Sequence, residues 1–273
     1  MVEYNVLHVG GGIPSTTLHL MFFLGELKAW KLDCVIFPDT GAESAPLYRH
    51  LELLHSFAGP YNYTASRGKL GHDLLSKRQL LAGLPAHSPK ISAPVCQLTK
   101  QYKLKVLVEK IRETLNLKGR QTFPRRQISV VLFLAVTYDE RRRAGLIRQR
   151  LAEYPWIKPV FPLIAHEMTL WHCRHWLRNY GKLPLPVPRS GCVFCPFRSN
   201  KDWQWLRKND PQGFAVAVEV DRNLRLPDSQ AIRPRYLHHS GIPLFKANFD
   251  VPESSEAKKR LGFHRECEGF CGL

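Results

Sequence analysis

Three consecutive glycines between two apolar stretches, in "LHVGGGIPSTTLHL" from Leu7, constrain the fold of this chain more than any other feature. The upstream run "YNVLHV" reads as a short buried strand, and "TTLHLMFFLGEL" has the apolar spacing of a helix. The glycines therefore mark a strand-to-helix turn. In such a turn the first helical amides lack intrahelical partners, and the positive end of the helix dipole favours a phosphate. Gly10, Gly11 and Gly12 let the backbone approach an anion, and Ser15 and Thr16 add hydroxyl donors. Pro14 suits a first helical position, where no N–H is needed. The same residues also suit an ordinary strand-to-helix turn, and neither "GxGxxG" nor "GK[ST]" is present. The surrounding pattern has to decide.

That pattern is an alternation of "NVLHV", "STTLHLMFFLGELKAW", "DCVIFPDTG", "SAPLYRHLELLHSFA" and "YNYTAS", strand and helix in turn. A later helix, "KLKVLVEKIRETLNL", precedes "ISVVLFLAVTYDE", the clearest buried strand of the chain. The order predicts an α/β fold with a doubly wound, mostly parallel sheet. Residues 1–190 are expected to form this nucleotide-binding domain. Residues 191–273 are expected to form an irregular, partly helical extension that bears cysteines and packs on the same site. From "WIKPVFPLIAHEMTLWHCRHWLRNYGK" the spacing suggests an aromatic-rich helix, and "NKDWQWLRKND" and "GFAVAVEVDRNLR" suggest two more. Doubly wound sheets bind ligands beyond the carboxyl ends of their strands. The glycine turn, "PDTG" with Asp39 and Thr40, and "YDERRR" with Arg141 are therefore expected to meet at one edge.

Lys and Arg number 40 against 23 Asp and Glu, a formal charge of +17. Polyanions are the natural partners of such a surface. Aromatics are interleaved with the basic residues in "RHWLRNYGK" and "FRSNKDWQWLRK", although arginines scattered over solvated faces give the same count. No apolar run approaches the roughly 20 residues that span a bilayer. "MVEYNVLHV" also lacks a basic segment followed by a signal-type core, so a cytoplasmic protein without a membrane partner is expected.

Seven cysteines without a signal peptide point to metal ligands or reactive thiols rather than a disulfide framework. Cys192 and Cys195 in "CVFC" have the spacing at which two thiolates reach one metal, which is also the spacing of a redox dithiol. Cys96 lies in "APVCQLTKQYK", and Cys267 and Cys271 lie in "ECEGFCGL". Cys34 and Cys173 fall in apolar patterns and are expected in the core.

Together these segments resemble the phosphoadenylylsulfate (PAPS) reductase family of the adenine nucleotide alpha hydrolase superfamily, also called N-type ATP pyrophosphatases, over nearly the whole length. "GGGIPSTTL" resembles the PP-loop that holds phosphates, and "VIFPDTGAESAPLYRHLELL" resembles the family's "DTG" strand and following helix. "APVCQLTKQYKLKVLVEKIR" is similar to the cysteine-to-basic segment of the iron–sulfur adenylylsulfate reductases. "LAVTYDERRR" and "PLIAHEMTLWHCRHWL" fall where the family has an arginine loop and the helix before its CxxC. "ECEGFCGL" resembles the tail that carries the reductases' catalytic cysteine.

The resemblance implies ATP or a sulfonucleotide bound by Gly10, Gly11, Gly12, Ser15, Thr16, Asp39, Thr40 and Arg141, with magnesium as an accompanying ion. It implies a 4Fe-4S cluster on Cys96, Cys192 and Cys195, with Cys267 as the fourth ligand and Cys271 as the reactive thiol. Two departures stand out. Gly10 and Pro14 replace the Ser and Asp of the usual "SGGxDS" loop, as the loss of that Asp in sulfonucleotide reductases accompanies binding without pyrophosphate cleavage. Val95 and Cys96 stand where the iron–sulfur reductases have paired cysteines. A three-cysteine set resembles the superfamily's thiolation branch, in which an open iron site binds sulfide for an adenylated nucleobase.

The leading expectation is a nucleotide-dependent sulfur-transfer or redox enzyme acting on a nucleic acid, tRNA or DNA, with a sulfur donor or thioredoxin-like protein as partner. The charge of the chain favours such an acceptor. Sulfonucleotide reduction through an S-sulfo-cysteine is the second reading. A non-catalytic nucleic-acid-binding subunit with structural zinc is the third.

Overall fold

The computed structural model describes residues 2–57, 62–88, 96–117, 122–124, 127–180, 182–183, 186–226 and 234–253. Strands β1 (Val2–His8), β2 (Cys34–Asp39), β3 (Asn62–Ser66), β4 (Ile128–Phe133) and β5 (Ile157–Val160) form one sheet in the order β3-β2-β1-β4-β5. Every pairing is parallel. Parallel strands buried on both faces need continuous apolar runs; β4 carries one over its last four residues, whereas β1 is buried only over its last three. Val6, Leu7, Val130, Leu132 and Phe133 are all fully buried.

Adjacent residues of these strands supply opposite faces. Val6, Ile36, Val130 and Leu132 pack with α4 (Lys105–Thr114) and α5 (Arg142–Leu151) through Leu107, Ile111, Ile147 and Leu151. On the other face Leu7, Val35, Phe37 and Val131 meet α1 (Ile13–Phe23) and α2 (Ala45–Phe57) through Leu18, Met21, Leu47 and Leu51. Cys173 of α7 (Leu170–Tyr180) joins this second core, and Cys34 of β2 joins the first. Both cysteines are core residues, as their apolar surroundings in the sequence predict.

A third core unites α3 (Leu70–Ser76) with α8 (Asn200–Asn209) and α9 (Pro211–Asn223). Leu70, Leu74, Trp203, Leu206, Ala217 and Val220 are buried together there with Val193 and Phe194. The described part of the extension therefore shares a core with residues near the ends of β2 and β3. A short helix α6 (Pro162–Ala165) links β5 to α7. Single helical turns span Arg78–Gly83, Tyr138–Glu140 and Leu244–Lys246, and a π-helical turn, Lys100–Leu104, leads into α4.

Two expectations need correction. The helix expected to run to Trp30 stops at Phe23, because Gly25 adopts φ +70° and Glu26 N–H donates to the Met21 carbonyl at 2.9 Å. That closure is the glycine-dependent end of a helix. Residues 157–160, expected within a helical region, form β5. The strand has four residues, and Pro159 cannot donate to a ladder, which restricts it to the edge position it occupies.

Candidate functional site

The sheet order runs outward from β1 in both directions, so the crevice between the ends of β1 and β4 is the topological switch point. The glycine turn leaves β1 on one side of it. The loop carrying Arg141 leaves β4 on the other. Because all five strands are parallel, "PDTG" at the end of β2 reaches the same edge.

The glycine turn is buried and closed on itself. Ser15 Oγ accepts from the Gly10 amide at 2.8 Å and from the Gly11 amide at 3.2 Å. Thr16 Oγ1 lies 3.3 Å from the Gly11 carbonyl and 2.9 Å from His50 Nε2, so α2 braces the turn. Gly11 has φ +80°, and a Cβ there would stand 2.9 Å from Leu51 Cδ2 and 3.0 Å from Leu47 Cδ1. Only glycine lets α2 approach this closely. The two amides that would cradle a phosphate are thus held by an internal hydroxyl, whose rotation would open them.

Asp39 and Thr40 also have local partners. Asp39 Oδ1 accepts from the Gly41 amide at 2.7 Å and from the Tyr48 hydroxyl at 2.8 Å. Burial and the Asp39 carboxylate together hold the Tyr48 phenol protonated. Gly41, at φ +63°, leaves no room for a Cβ, which would lie 2.9 Å from Lys69 Cα. Thr40 Oγ1 lies 3.7 Å from Cys192 Sγ, a direct link from the "DTG" segment to "CVFC". Arg141 is exposed, with its guanidinium 4.7 Å above the Tyr138 ring. Its loop is tied to the start of α7 by Tyr138 N–H to the Met168 carbonyl and by Leu170 N–H to Asp139.

Cys96, Cys192 and Cys195 come within electrostatic reach of one another. Burial pushes the Cys192 thiol up to about 12, and burial also raises that of Cys96. The Cys192–Cys195 knuckle is held from beneath by charged groups. Glu43 Oε2 accepts from the Gly191 amide at 2.7 Å, and its other oxygen pairs with Lys103 Nζ at 3.4 Å. Arg198, fully buried, donates to the Gly191 and Cys192 carbonyls at 3.0 and 3.1 Å. Cys267 and Cys271 lie outside the described residues.

Glu43, Lys103 and Arg198 are the residues that the sequence does not reveal. Each lies in a stretch singled out for other residues, and nothing in the stretch marks its buried partner: Glu43 and Gly191 are 148 positions apart. The one available signal is position: Lys103 lies seven residues after Cys96, on the π-helical turn, a geometry that often marks functional sites. Lys103 also joins the two halves of the site. Burial, helped by the Lys103 charge, drives the His8 imidazole down to about 3 at the end of β1.

A thiolate-ligated centre fits this donor set by residue type, since soft thiolates select zinc or iron–sulfur, although burial and the Glu43 carboxylate hold the Cys192 thiol protonated without a metal. Among the described residues, no three Cys, His, Asp or Glu side chains stand together as a site for a single metal ion. Beside the site runs a groove of about 1220 Å³, lined by Ile13, Leu170, Arg174, Arg189, Lys201 and Trp205 among others. Ile13 is the first residue of α1, so the groove opens at the glycine turn. No helix among the described residues is long and apolar enough to cross a membrane. The chain matches no protein-family model and no curated protein.

Proposed function

We propose that this protein is a nucleotide-dependent sulfur-transfer enzyme acting on a nucleic acid. One observation carries the reading. Cys192 stands beside Thr40 at the carboxyl edge of a sheet whose switch point holds a glycine turn and an arginine loop, and Cys195 and Cys96 lie close enough to act on it electrostatically. The resemblance to the PAPS reductase family gives those parts a common chemistry.

In this reading the glycine turn and Arg141 hold the phosphates of ATP, and magnesium rather than the loop Asp that Pro14 replaces would offset the charge of the leaving group, while a nucleobase carbonyl oxygen attacks the α-phosphorus. Pyrophosphate leaves, and the base carries an adenylated oxygen. Hydrosulfide then adds at that carbon, AMP departs with the former carbonyl oxygen, and a proton is released, which leaves a thiocarbonyl without net redox change. Cys96, Cys192 and Cys195 would hold an iron–sulfur cluster, which when bound supplies a position for sulfide. Glu43, Lys103 and Arg198 fix the backbone that presents Cys192 and balance charge around it. Rotation of Ser15 would hand the Gly10 and Gly11 amides to the nucleotide.

The test is an anaerobic incubation of the reconstituted protein with ATP, magnesium, sulfide and unmodified tRNA or DNA. The expected products are AMP, pyrophosphate and nucleic acid retarded on a mercury-containing gel. Sulfite released from PAPS with thioredoxin, in the absence of thiolated product, would identify a sulfonucleotide reductase instead. Neither product from an iron-free, zinc-loaded protein would leave the non-catalytic binding subunit.

A further inference from the structure

The outer face of α7 carries exposed aromatic and basic side chains. The inner residues Leu170, Cys173 and Leu177 are buried and fix the helix against the sheet. On the outside, Trp171 is 65% exposed and stacks flat on His175, with ring centroids 5.3 Å apart and planes 5° from parallel. Arg174 and Arg178 are exposed one helical turn apart, and the helix contains no Asp or Glu. Leu170 and Arg174 also line the groove that reaches Ile13 at the glycine turn. The opposite wall of that groove carries carboxylates: Asp202 is paired with Arg189, whereas Asp250 and Glu253 accept from the neutral Gln204 and Asn200 amides and keep their charge, so the path of a polyanion runs along the Arg174 wall.

We infer that this face is the docking strip for a single-stranded stretch of nucleic acid, entering over the Trp171–His175 stack and passing Arg174 toward the glycine turn. The inference rests on the nucleic-acid acceptor proposed above and names the surface that receives it. An open aromatic face takes a base whatever its identity, and arginines spaced along the same helix neutralise successive phosphates. Stacking on Trp171 requires an unpaired base, which excludes the interior of a duplex. An acid-free helix with a solvent-facing indole complements a polyanion rather than a basic or neutral partner.

Binding of fluorescein-labelled oligouridylate and oligothymidylate of equal length to the full chain, followed by anisotropy over a range of salt, tests the strip. Trp171→Ala is expected to weaken both oligonucleotides by roughly 5- to 100-fold, and Trp171→Phe to restore most of the loss. Arg174→Gln and Arg178→Gln are each expected to reduce the slope of log K against log salt by about 0.7. These side chains are exposed, and unchanged circular dichroism would confirm that the variants fold. If the wild type binds but all three substitutions leave affinity and slope unchanged, the strip is wrong while the nucleic-acid acceptor stands. If the wild type binds neither oligonucleotide, the strip and that acceptor fall together.

Discussion

Buried polar groups lie beneath both halves of the candidate site, but they are neutral on one side and charged on the other. Around the glycine turn stand Ser15, Thr16, His8, His19 and His50, all buried. Desolvation keeps the three imidazoles uncharged near neutrality, with His19 and His50 down to about 4. Around the cysteine knuckle stand Glu43, Lys103 and Arg198, equally buried but ionic. A neutral network can exchange hydrogen bonds with an incoming anion at little electrostatic cost. An ionic one holds the backbone of the Cys192 turn through charge-assisted hydrogen bonds. Under the proposed function the neutral side would bind phosphate and the ionic side would position thiolates.

The ionic side gives the largest expected effect. Glu43→Ala removes the carboxylate that pairs with the buried Lys103 ammonium and accepts from the Gly191 amide, and should cost about 3–5 kcal/mol in urea unfolding. Replacing Lys103 by Met in the same chain should return part of that loss, because a buried charge is removed with its ion-pair partner. Equal stability of wild type and Glu43→Ala would show that the ion pair does not anchor the knuckle.

Acid should act on the neutral side. For His8, His19 and His50 the folded values lie below the unfolded 6.5, so between pH 6.5 and about 4 the unfolded chain binds more protons. Stability is therefore complete above pH 6.5 and falls as pH drops through that window, by about 1.4 kcal/mol per pH unit for each histidine. Denaturation midpoints measured from pH 7 to pH 4 check this. His50→Gln, which can still bond Thr16, should flatten the slope, and an unchanged slope would remove His50 from the account.

Ser15→Ala sharpens the comparison further. Its loss leaves the Gly10 and Gly11 amides unpaired and should cost about 1–3 kcal/mol without ligand. Saturating ATP should raise the melting temperature of this variant more than that of the wild type, since the nucleotide no longer competes with the hydroxyl. Equal shifts in both proteins would argue that phosphate does not use those amides. The smallest effect is expected at the cap of α8, where Ser199 and Asp202 form a reciprocal capping box. Ser199→Ala should cost about 1 kcal/mol and leave the site unaltered.

The sheet was legible because β2 and β4 are written in apolar runs and β1 has its buried Val6 and Leu7 just before the three glycines, so that each strand stops at a recognisable turn. The parallel order followed from the helices between them. β5 was illegible because four residues including Pro159 carry too little periodicity to separate strand from the helices that follow. That Gly10, Gly11, Asp39 and Thr40 would meet at one sheet edge could be read because each lies in a local motif at a strand end. Their hydrogen-bond state could not, since the hydroxyl that closes the turn belongs to the same segment as the amides it closes. The Glu43–Lys103 pair and the Arg198 brace arise only when distant segments fold together, and no local pattern announces them.

The central claim is that Cys96, Cys192 and Cys195 act as one ligand set. Its most direct test is the iron, sulfide and zinc content of the anaerobically purified full chain, with the visible spectrum recorded for wild type, Cys96→Ser and Cys192→Ser. A brown protein with about four iron and four sulfide per chain is expected, with loss of most of both in each variant while the fold persists. A colourless wild type containing about one zinc, or a cluster retained in both variants, would contradict it.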